Sequence, residues 1–336
     1  MSSGHTLFDP VGVLGAGAWG TALALVAARG GHKVRLWVRE ADILEGIADR
    51  RENARFLPGI ALPEAIEATG RLEHLAPCRA LLMSVPAQFA REWLVRLAAI
   101  LAPGTPVILC AKGIERATGL LMSEMLREAM PGAIPAVLSG PSFAADVAKG
   151  LPTAITLATA DEELGRSLLA AFGQPAFRPY LSSDILGAEM GGAVKNVLAI
   201  ACGIAEGKGL GESARAALMT RGFAEMRRFA VALGAREETL MGLCGLGDLI
   251  LTCSSRQSRN FQTGLRMAGG TAGPLAFNAQ GAVAEGVETA PALLARARRH
   301  GVEMPICEAV ANIIEGREPV DAAIAGLLAR PFKQEY

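Results

Sequence analysis

The chain has 336 residues, 51% of them hydrophobic and 20% charged, with 33 Lys+Arg against 33 Asp+Glu. That is an ordinary globular composition at a length suited to two domains. Zero net charge and only 5% aromatics exclude an electrostatic or base-stacking case for binding nucleic acid or an anionic membrane.

The six cysteines (Cys78, Cys110, Cys202, Cys244, Cys253, Cys307) contain no Cys-x-x-Cys pair, and His5, His32, His74 and His300 are scattered. No zinc-site spacing results, and no metal is expected. Residues 1–10 lack a basic, then apolar leader pattern, and no uncharged run reaches membrane-spanning length. A cytoplasmic, reduced protein without stable membrane insertion is expected.

In chain order, 11–14 is a short apolar run with the character of a buried parallel strand, Gly15-Ala16-Gly17 a tight turn, and 18–29 a small-residue helix. In that strand–turn–helix setting the spacing Gly15-x-Gly17-x-x-Gly20 is a dinucleotide fingerprint. Gly15 permits the turn, Gly17 lets the backbone approach a pyrophosphate, and Gly20 lets the helix sit close to the strand. The helix start adds free N–H groups and a positive dipole end. Further strands are expected at 33–38, 80–85, 106–111, 136–139, 153–159 and 176–180. Helices are expected at 41–51, through an apolar face of Phe89, Trp93, Leu94 and Leu97, and at 120–130. This alternation predicts a Rossmann-type, doubly wound α/β domain over 1–182. Ligands bind such sheets at the carboxyl ends of the strands, where Gly15, Pro86, Lys112 and Gly140 fall.

After Ser182-Ser183-Asp184, which offers N-cap side chains, only helical patterns follow: 185–206, 213–233, 237–243, 290–300 with Thr289 as N-cap, 305–315 and 320–329. An all-α domain over 183–336 is expected. Within it, 242–286 is rich in Gly, Ser, Thr and Asn and reads as a long loop, a length at which loops tend to be functional.

Three constellations there carry chemical potential. Gly191-Gly192-Ala193-Val194-Lys195-Asn196 sets a lysine in an apolar, small-residue helix. Lys195 either snorkels to the surface or sits desolvated with a lowered pKa suited to acid–base work. Asp248, in Gly245-Leu246-Gly247-Asp248, is either a turn or cap residue or the partner of that lysine. Ser258-Arg259-Asn260 is either a solvated loop or a grip for phosphate.

Taken together, these blocks, with Ala111-Lys112-Gly113-Ile114-Glu115, Ser139-Gly140-Pro141-Ser142-Phe143-Ala144, Thr220-Arg221-Gly222, Thr252-Cys253 and Val283-Ala284-Glu285-Gly286, resemble the bacterial-type NAD(P)-dependent sn-glycerol-3-phosphate dehydrogenases over nearly the whole chain. The resemblance implies reduction of dihydroxyacetone phosphate to sn-glycerol 3-phosphate for phospholipid synthesis, in a crevice between the domains, by a homodimer. It implies Lys195 as catalytic acid/base, Asp248 as its partner, and Lys112 as a carbonyl-polarising residue touching substrate and cofactor. Gly140, Ser142, Asp248, Thr252, Ser258, Arg259 and Asn260 would hold substrate. Gly15, Gly17, Ala18, Trp19, Gly20, Arg39, Ala144, Val283 and Glu285, with Lys112 and Arg259, would line the cofactor. Ala18 stands where many relatives carry Ser, leaving the pyrophosphate to backbone donors, and Ala284 stands where Val is usual. Arg39, near the end of the second strand, favours NADP(H), while Glu40 leaves NAD(H) open. Two other functions are compatible with the charge pattern: a related two-domain dehydrogenase of a small hydroxy or keto acid, and a dinucleotide-binding protein without turnover.

Overall fold

The computed structural model describes residues 7–270, 284–332 and 334. Short aliphatic runs form β1 (Val11–Leu14), β2 (Val34–Trp37), β3 (Ile66–Thr69), β4 (Ala80–Met83), β5 (Pro106–Leu109), β6 (Ile134–Ser139), β7 (Thr153–Ala158) and β8 (Phe177–Ser182). They make one eight-stranded sheet in the order β3-β2-β1-β4-β5-β6-β7-β8. All neighbours pair in parallel except β6 and β7. The first six strands follow the doubly wound order, and β7–β8 extend it as a pair running the other way. Every residue of β1, β4 and β5 is buried, as strands covered on both faces must be.

Helices α1 (Ala18–Arg29), α2 (Ala41–Arg50), α3 (Ala87–Ala98), α4 (Met122–Ala129), α5 (Ala144–Ala148) and α6 (Glu162–Phe172) flank the sheet. Three features depart from the expectation. β3 reads Ile-Glu-Ala-Thr, too polar to stand out, yet it pairs with β2. α6 is capped by Asp161, whose side chain accepts from the Leu164 N–H, and it buries Gly165, Leu168, Ala171 and Phe172. On α3 the buried stripe is Ala87, Ala90, Leu94 and Leu97, whereas Phe89 is exposed and Trp93 packs tilted against Trp37 with ring centroids 4.4 Å apart.

The helical part is built around α7 (Ile185–Gly207), whose N-cap Asp184 accepts from the Gly187 N–H and whose residues are buried without a break from Gly187 to Ala205. This helix is long and apolar enough to cross a membrane, but 89% of its apolar window is buried inside the fold, as befits a central core helix. Around it lie α8 (Gly211–Ala232), α9 (Glu237–Met241), a π turn (Leu243–Gly247), α10 (Asp248–Ser254), α11 (Arg259–Ala268), α12 (Glu285–Arg299), α13 (Pro305–Ile314) and α14 (Val320–Leu328).

The expected long loop at 242–286 is therefore mostly helical where it is described, with helical turns over 243–254 and 259–268 and a new helix from Glu285. Its glycines serve close helix packing instead: a Cβ on Gly264 would lie 2.1 Å from the Ile200 carbonyl oxygen, and one on Gly203 would lie 2.1 Å from that of Phe261. α7 and α11 thus cross backbone to backbone. α12 begins at Glu285, so Thr289 is an interior, fully buried residue rather than an N-cap, and Pro291 lies inside the helix.

Candidate active site

The turn after β1 has the shape its glycines foretell. Gly15 takes φ +103°, a conformation open to glycine. A Cβ on Gly20 would lie 1.9 Å from the Gly15 carbonyl oxygen, so only glycine lets α1 start this close. No atom lies within 4 Å of where a Gly17 Cβ would be, so the start of α1 faces open space. Gly17, the N-cap, has no side chain to occupy the first-turn N–H groups, which remain free for an anion. Two residues outside the motif brace the turn. The Asn53 amide donates to the Ala16 carbonyl (2.7 Å) and to Thr21 Oγ1 (2.8 Å), and Ser84 Oγ donates to the Gly15 carbonyl (2.9 Å). The buried Trp19 indole N–H has no partner among the described residues. An open, braced helix start of this kind fits a dinucleotide pyrophosphate.

Arg39 lies just past the end of β2, largely exposed, with Nε (3.0 Å) and Nη2 (2.6 Å) both donating to Glu40 Oε1. Lys112 follows the end of β5. In the strand order these positions are three strands apart, about 14 Å at ~4.8 Å per strand, with the glycine turn between them. A dinucleotide bridges such a span.

Where the helices meet this edge, one buried carboxylate gathers two lysines. Asp248, the first residue of α10, is 1% exposed. Its Oδ1 accepts from Lys195 Nζ (2.9 Å) and its Oδ2 from Lys112 Nζ (2.7 Å). Lys195 also donates to Thr252 Oγ1 (2.7 Å), one turn along α10, and Lys112 to the Gly140 carbonyl (3.1 Å). Lys195 is therefore not a snorkelling residue but a desolvated one, with two of its three N–H donors held by Asp248 and Thr252. Burial is the main influence on its pKa, and with the nearby Lys112 charge it outweighs the Asp248 attraction, lowering the pKa to about 8. Burial alone would raise the Asp248 carboxyl, but Lys112 and Lys195 prevail and hold it below its usual range.

The paired glycines of α7 make this convergence possible. A Cβ on Gly191 would sit 2.4 Å from the Cys244 carbonyl oxygen, and one on Gly192 would sit 3.1 Å from Lys112 Cγ. The π turn that leads into Asp248, and Lys112 itself, thus pack against bare helix backbone.

An amide relay ties the elements together. Asn196 Nδ2 donates to the Lys112 carbonyl (2.9 Å), Asn260 Nδ2 donates to Asn196 Oδ1 (2.9 Å), and Asn260 Oδ1 accepts from the Gly286 N–H (3.0 Å). Glu285, at the start of α12, accepts from the N–H groups of Ala87 and Lys112 (3.1 Å each), clasping the ends of β4 and β5. Asn53 and Ser84 are the structural contributors that motif spacing did not single out.

The remaining expected residues divide by environment. Ser142 Oγ donates to the Gly140 carbonyl (3.1 Å), and Ala144 opens α5 beside it. Ser258 is the N-cap of α11, accepting from the Phe261 N–H, so its hydroxyl serves the helix in this state. Arg259 is exposed and has no carboxylate partner among the described residues, the condition required of a guanidinium that is to take an anion. Val283 lies outside the described residues.

Such an arrangement, a reductant cradle in a doubly wound sheet facing a buried Lys–Asp–Lys cluster supplied partly by a helical domain, is that of a two-domain dinucleotide-dependent dehydrogenase. Residues 10–165 match the family described as NAD-dependent glycerol-3-phosphate dehydrogenase N-terminus, and residues 184–325 match the corresponding C-terminus. The chain belongs to the NAD-dependent glycerol-3-phosphate dehydrogenase family. It is 57% identical over 328 residues to the glycerol-3-phosphate dehydrogenase, NAD(P)+, of Maricaulis maris, covering 98% of each chain. It is 58% identical to that of Caulobacter vibrioides, covering 98% of this chain and 99% of the relative. The solved glycerol-3-phosphate dehydrogenase of Coxiella burnetii superposes with a TM-score of 0.92 at 39% identity, covering 96% of this chain and 100% of that one.

Proposed function

We propose that this chain reduces dihydroxyacetone phosphate to sn-glycerol 3-phosphate with NAD(P)H, and runs the reverse oxidation. One observation carries the assignment: Asp248 holds Lys195 and Lys112 together, buried, beside a dinucleotide cradle. The reduced nicotinamide supplies a hydride to the central carbonyl carbon. Lys195 donates its Nζ proton to the carbonyl oxygen as that oxygen gains negative charge. Its lowered pKa of about 8 poises it to give up that proton near neutrality and, once neutral, to accept one from the hydroxyl in the reverse direction. Asp248 and Thr252 fix the Nζ position. Lys112 brings a second cation to the developing charge. Arg259, with Ser258, Asn260, Gly140 and Ser142, grips the phosphate and orients the carbonyl, the positioning part of catalysis.

On the cofactor side, Gly15, Gly17, Ala18, Trp19, Gly20 and Ala144 receive the pyrophosphate and its neighbourhood, and Arg39 takes the adenosine ribose. Arg39 favours NADP(H), with NAD(H) also used. The division of labour follows the chain, a cofactor domain over 1–182 and a substrate domain over 183–336. The product feeds phospholipid synthesis in the cytoplasm. A homodimer is proposed, supported by the exposed apolar side chains Leu210, Val231, Met241 and Ile250 on the helical part.

Purified enzyme with dihydroxyacetone phosphate and NADPH tests the assignment, with Lys195→Ala as the control. Turnover in the wild type and a loss of orders of magnitude in the variant are expected; near-normal turnover of Lys195→Ala removes the proton-donor role.

A further inference from the structure

We propose that Glu189 is a positioning residue: it locks α7 of the helical part to α4 of the sheet part and so sets Lys112 against Lys195, a role that rests on the reduction of dihydroxyacetone phosphate proposed above. Glu189 is buried and outside the lysine cluster, on the same helix as Lys195 and about 9 Å before it at ~1.5 Å per residue. Its Oε1 accepts from the Ser123 N–H (2.7 Å) and its Oε2 from the Ser123 hydroxyl (2.6 Å). Ser123 lies in the first turn of α4, whose N-cap residue, Leu121, has no side-chain acceptor to offer the free N–H groups. The Leu121 side chain is instead buried in the core of the helical part, with Ile114, Met190 and Val194. The start of α4 is therefore completed by a residue 66 positions away, and only when α7 lies alongside in one register.

The segment held in this way begins at Lys112. Ile114 and Leu121 form an antiparallel bridge, so Lys112 precedes that bridge and Ser123 follows it at equal distance along the chain. Arg296 of α12 closes the same segment, donating to both carboxylate oxygens of Glu124 (2.6 and 2.8 Å) and to the Gly119 carbonyl (2.8 Å). A shift of Ser123 along α7 is carried through the bridge to Lys112 Nζ, which sits 2.7 Å from Asp248 Oδ2. Burial pushes the Glu189 carboxyl up to about 7, against the Ser123 hydrogen bonds and the Arg127 charge, with Glu124 adding to the rise. The contact survives protonation, because a neutral carboxyl donates from Oε2 to the Ser123 hydroxyl while Oε1 still accepts from the N–H. A glutamine makes the same two bonds, so it separates position from charge.

Full-length wild type, E189A, E189Q and S123A are compared by steady-state reduction of dihydroxyacetone phosphate with NADPH, cofactor fluorescence titration and thermal melting. E189A is expected to lower kcat about 10–100-fold, the scale of a misplacement of about 1 Å at a reacting centre. Its KM for dihydroxyacetone phosphate and its NADPH Kd are expected to stay within about threefold of wild type, since the phosphate grip on α11 and the glycine cradle on α1 lie elsewhere. E189Q is expected to restore kcat to within about twofold of wild type. S123A, a milder change that serves if E189A does not fold, is expected to lower kcat about 3–10-fold for loss of one of the two bonds. A lower melting temperature with unchanged kcat in E189A, or in S123A where E189A is unfolded, makes Glu189 a stability residue only and overturns the proposal. E189Q as impaired as E189A overturns it as well, because the charge and not the position then matters. Wild type that binds NADPH but turns over no dihydroxyacetone phosphate defeats the underlying assignment of the reaction, and this role with it.

Discussion

Asp248→Asn isolates the charge at the centre of the site while keeping the side-chain shape. In the wild type, one carboxylate with 1% exposure receives both Lys195 (2.9 Å) and Lys112 (2.7 Å). Neutralising it leaves two ammonium groups close together without their counter-ion, and breaking a buried pair in this way costs about 3–5 kcal/mol of stability. The same loss acts on the chemistry. Asp248 is the main influence raising the Lys195 pKa, against burial and Lys112, which lower it. An opposite charge at such distance is worth about 1–3 pKa units. Without it, the ammonium is lost at correspondingly lower pH. At pH 7.5 most of the variant would then lack the proton to donate, giving roughly a 3–200-fold lower rate of reduction from protonation alone. The assay is the pH profile of kcat for reduction, with circular dichroism and thermal melting to verify that the variant is folded. An alkaline limb displaced acidward, with rate recovered at lower pH, is expected. A variant of wild-type stability whose limb stays near pH 8 would refute the coupling of Asp248 to Lys195.

In the wild type, the Lys195 ammonium is the acid, so kcat for reduction should be full below about 8 and fall about tenfold per pH unit above it, while oxidation should rise over the same range. A flat profile through this range in both directions, with chemistry rate-limiting, would contradict the proton-donor role. Arg259→Ala should raise the KM for dihydroxyacetone phosphate about 10–100-fold, the scale of charge-assisted hydrogen bonds, so an unchanged KM would count against a phosphate grip. Gly20→Ala forces a Cβ to 1.9 Å from the Gly15 carbonyl oxygen, so it should displace the turn, weaken dinucleotide binding and cost about 1–3 kcal/mol; a normal Kd and melting temperature would contradict the close approach. Asn53→Ala removes both amide bonds to the turn and should weaken cofactor binding with little change in substrate KM, which steady-state kinetics with each substrate varied resolves.

The sheet was legible because strands buried on both faces read as unbroken aliphatic runs, as at Val11–Leu14 and Ala80–Met83. β3 escaped because its four residues include Glu67 and take their place through pairing with β2, a non-local cause. The helices of 243–268 were hidden by their own glycines. Gly245 and Gly264 would ordinarily punctuate a loop, but at both a side-chain Cβ would lie only 2.0 Å and 2.1 Å from a backbone carbonyl oxygen, so glycine is needed for close packing. The chemistry was half legible. Lys195 stood out as a charge in an apolar helix and Asp248 as an acid among glycines, but their meeting across 53 residues, and that of Asp248 with Lys112 across 136, exist only in the fold. Asn53 carries no motif at all, and its role appears only when its amide is found under the glycine turn.

The most direct measurement is the near-ultraviolet absorbance of NADPH and of NADH, followed as purified enzyme is given dihydroxyacetone phosphate and, separately, small keto acids. Rapid oxidation of the cofactor with dihydroxyacetone phosphate, none with the keto acids, and sn-glycerol 3-phosphate as the product are expected. Turnover of a keto acid in preference to dihydroxyacetone phosphate, or no cofactor oxidation with any of them, would contradict the account.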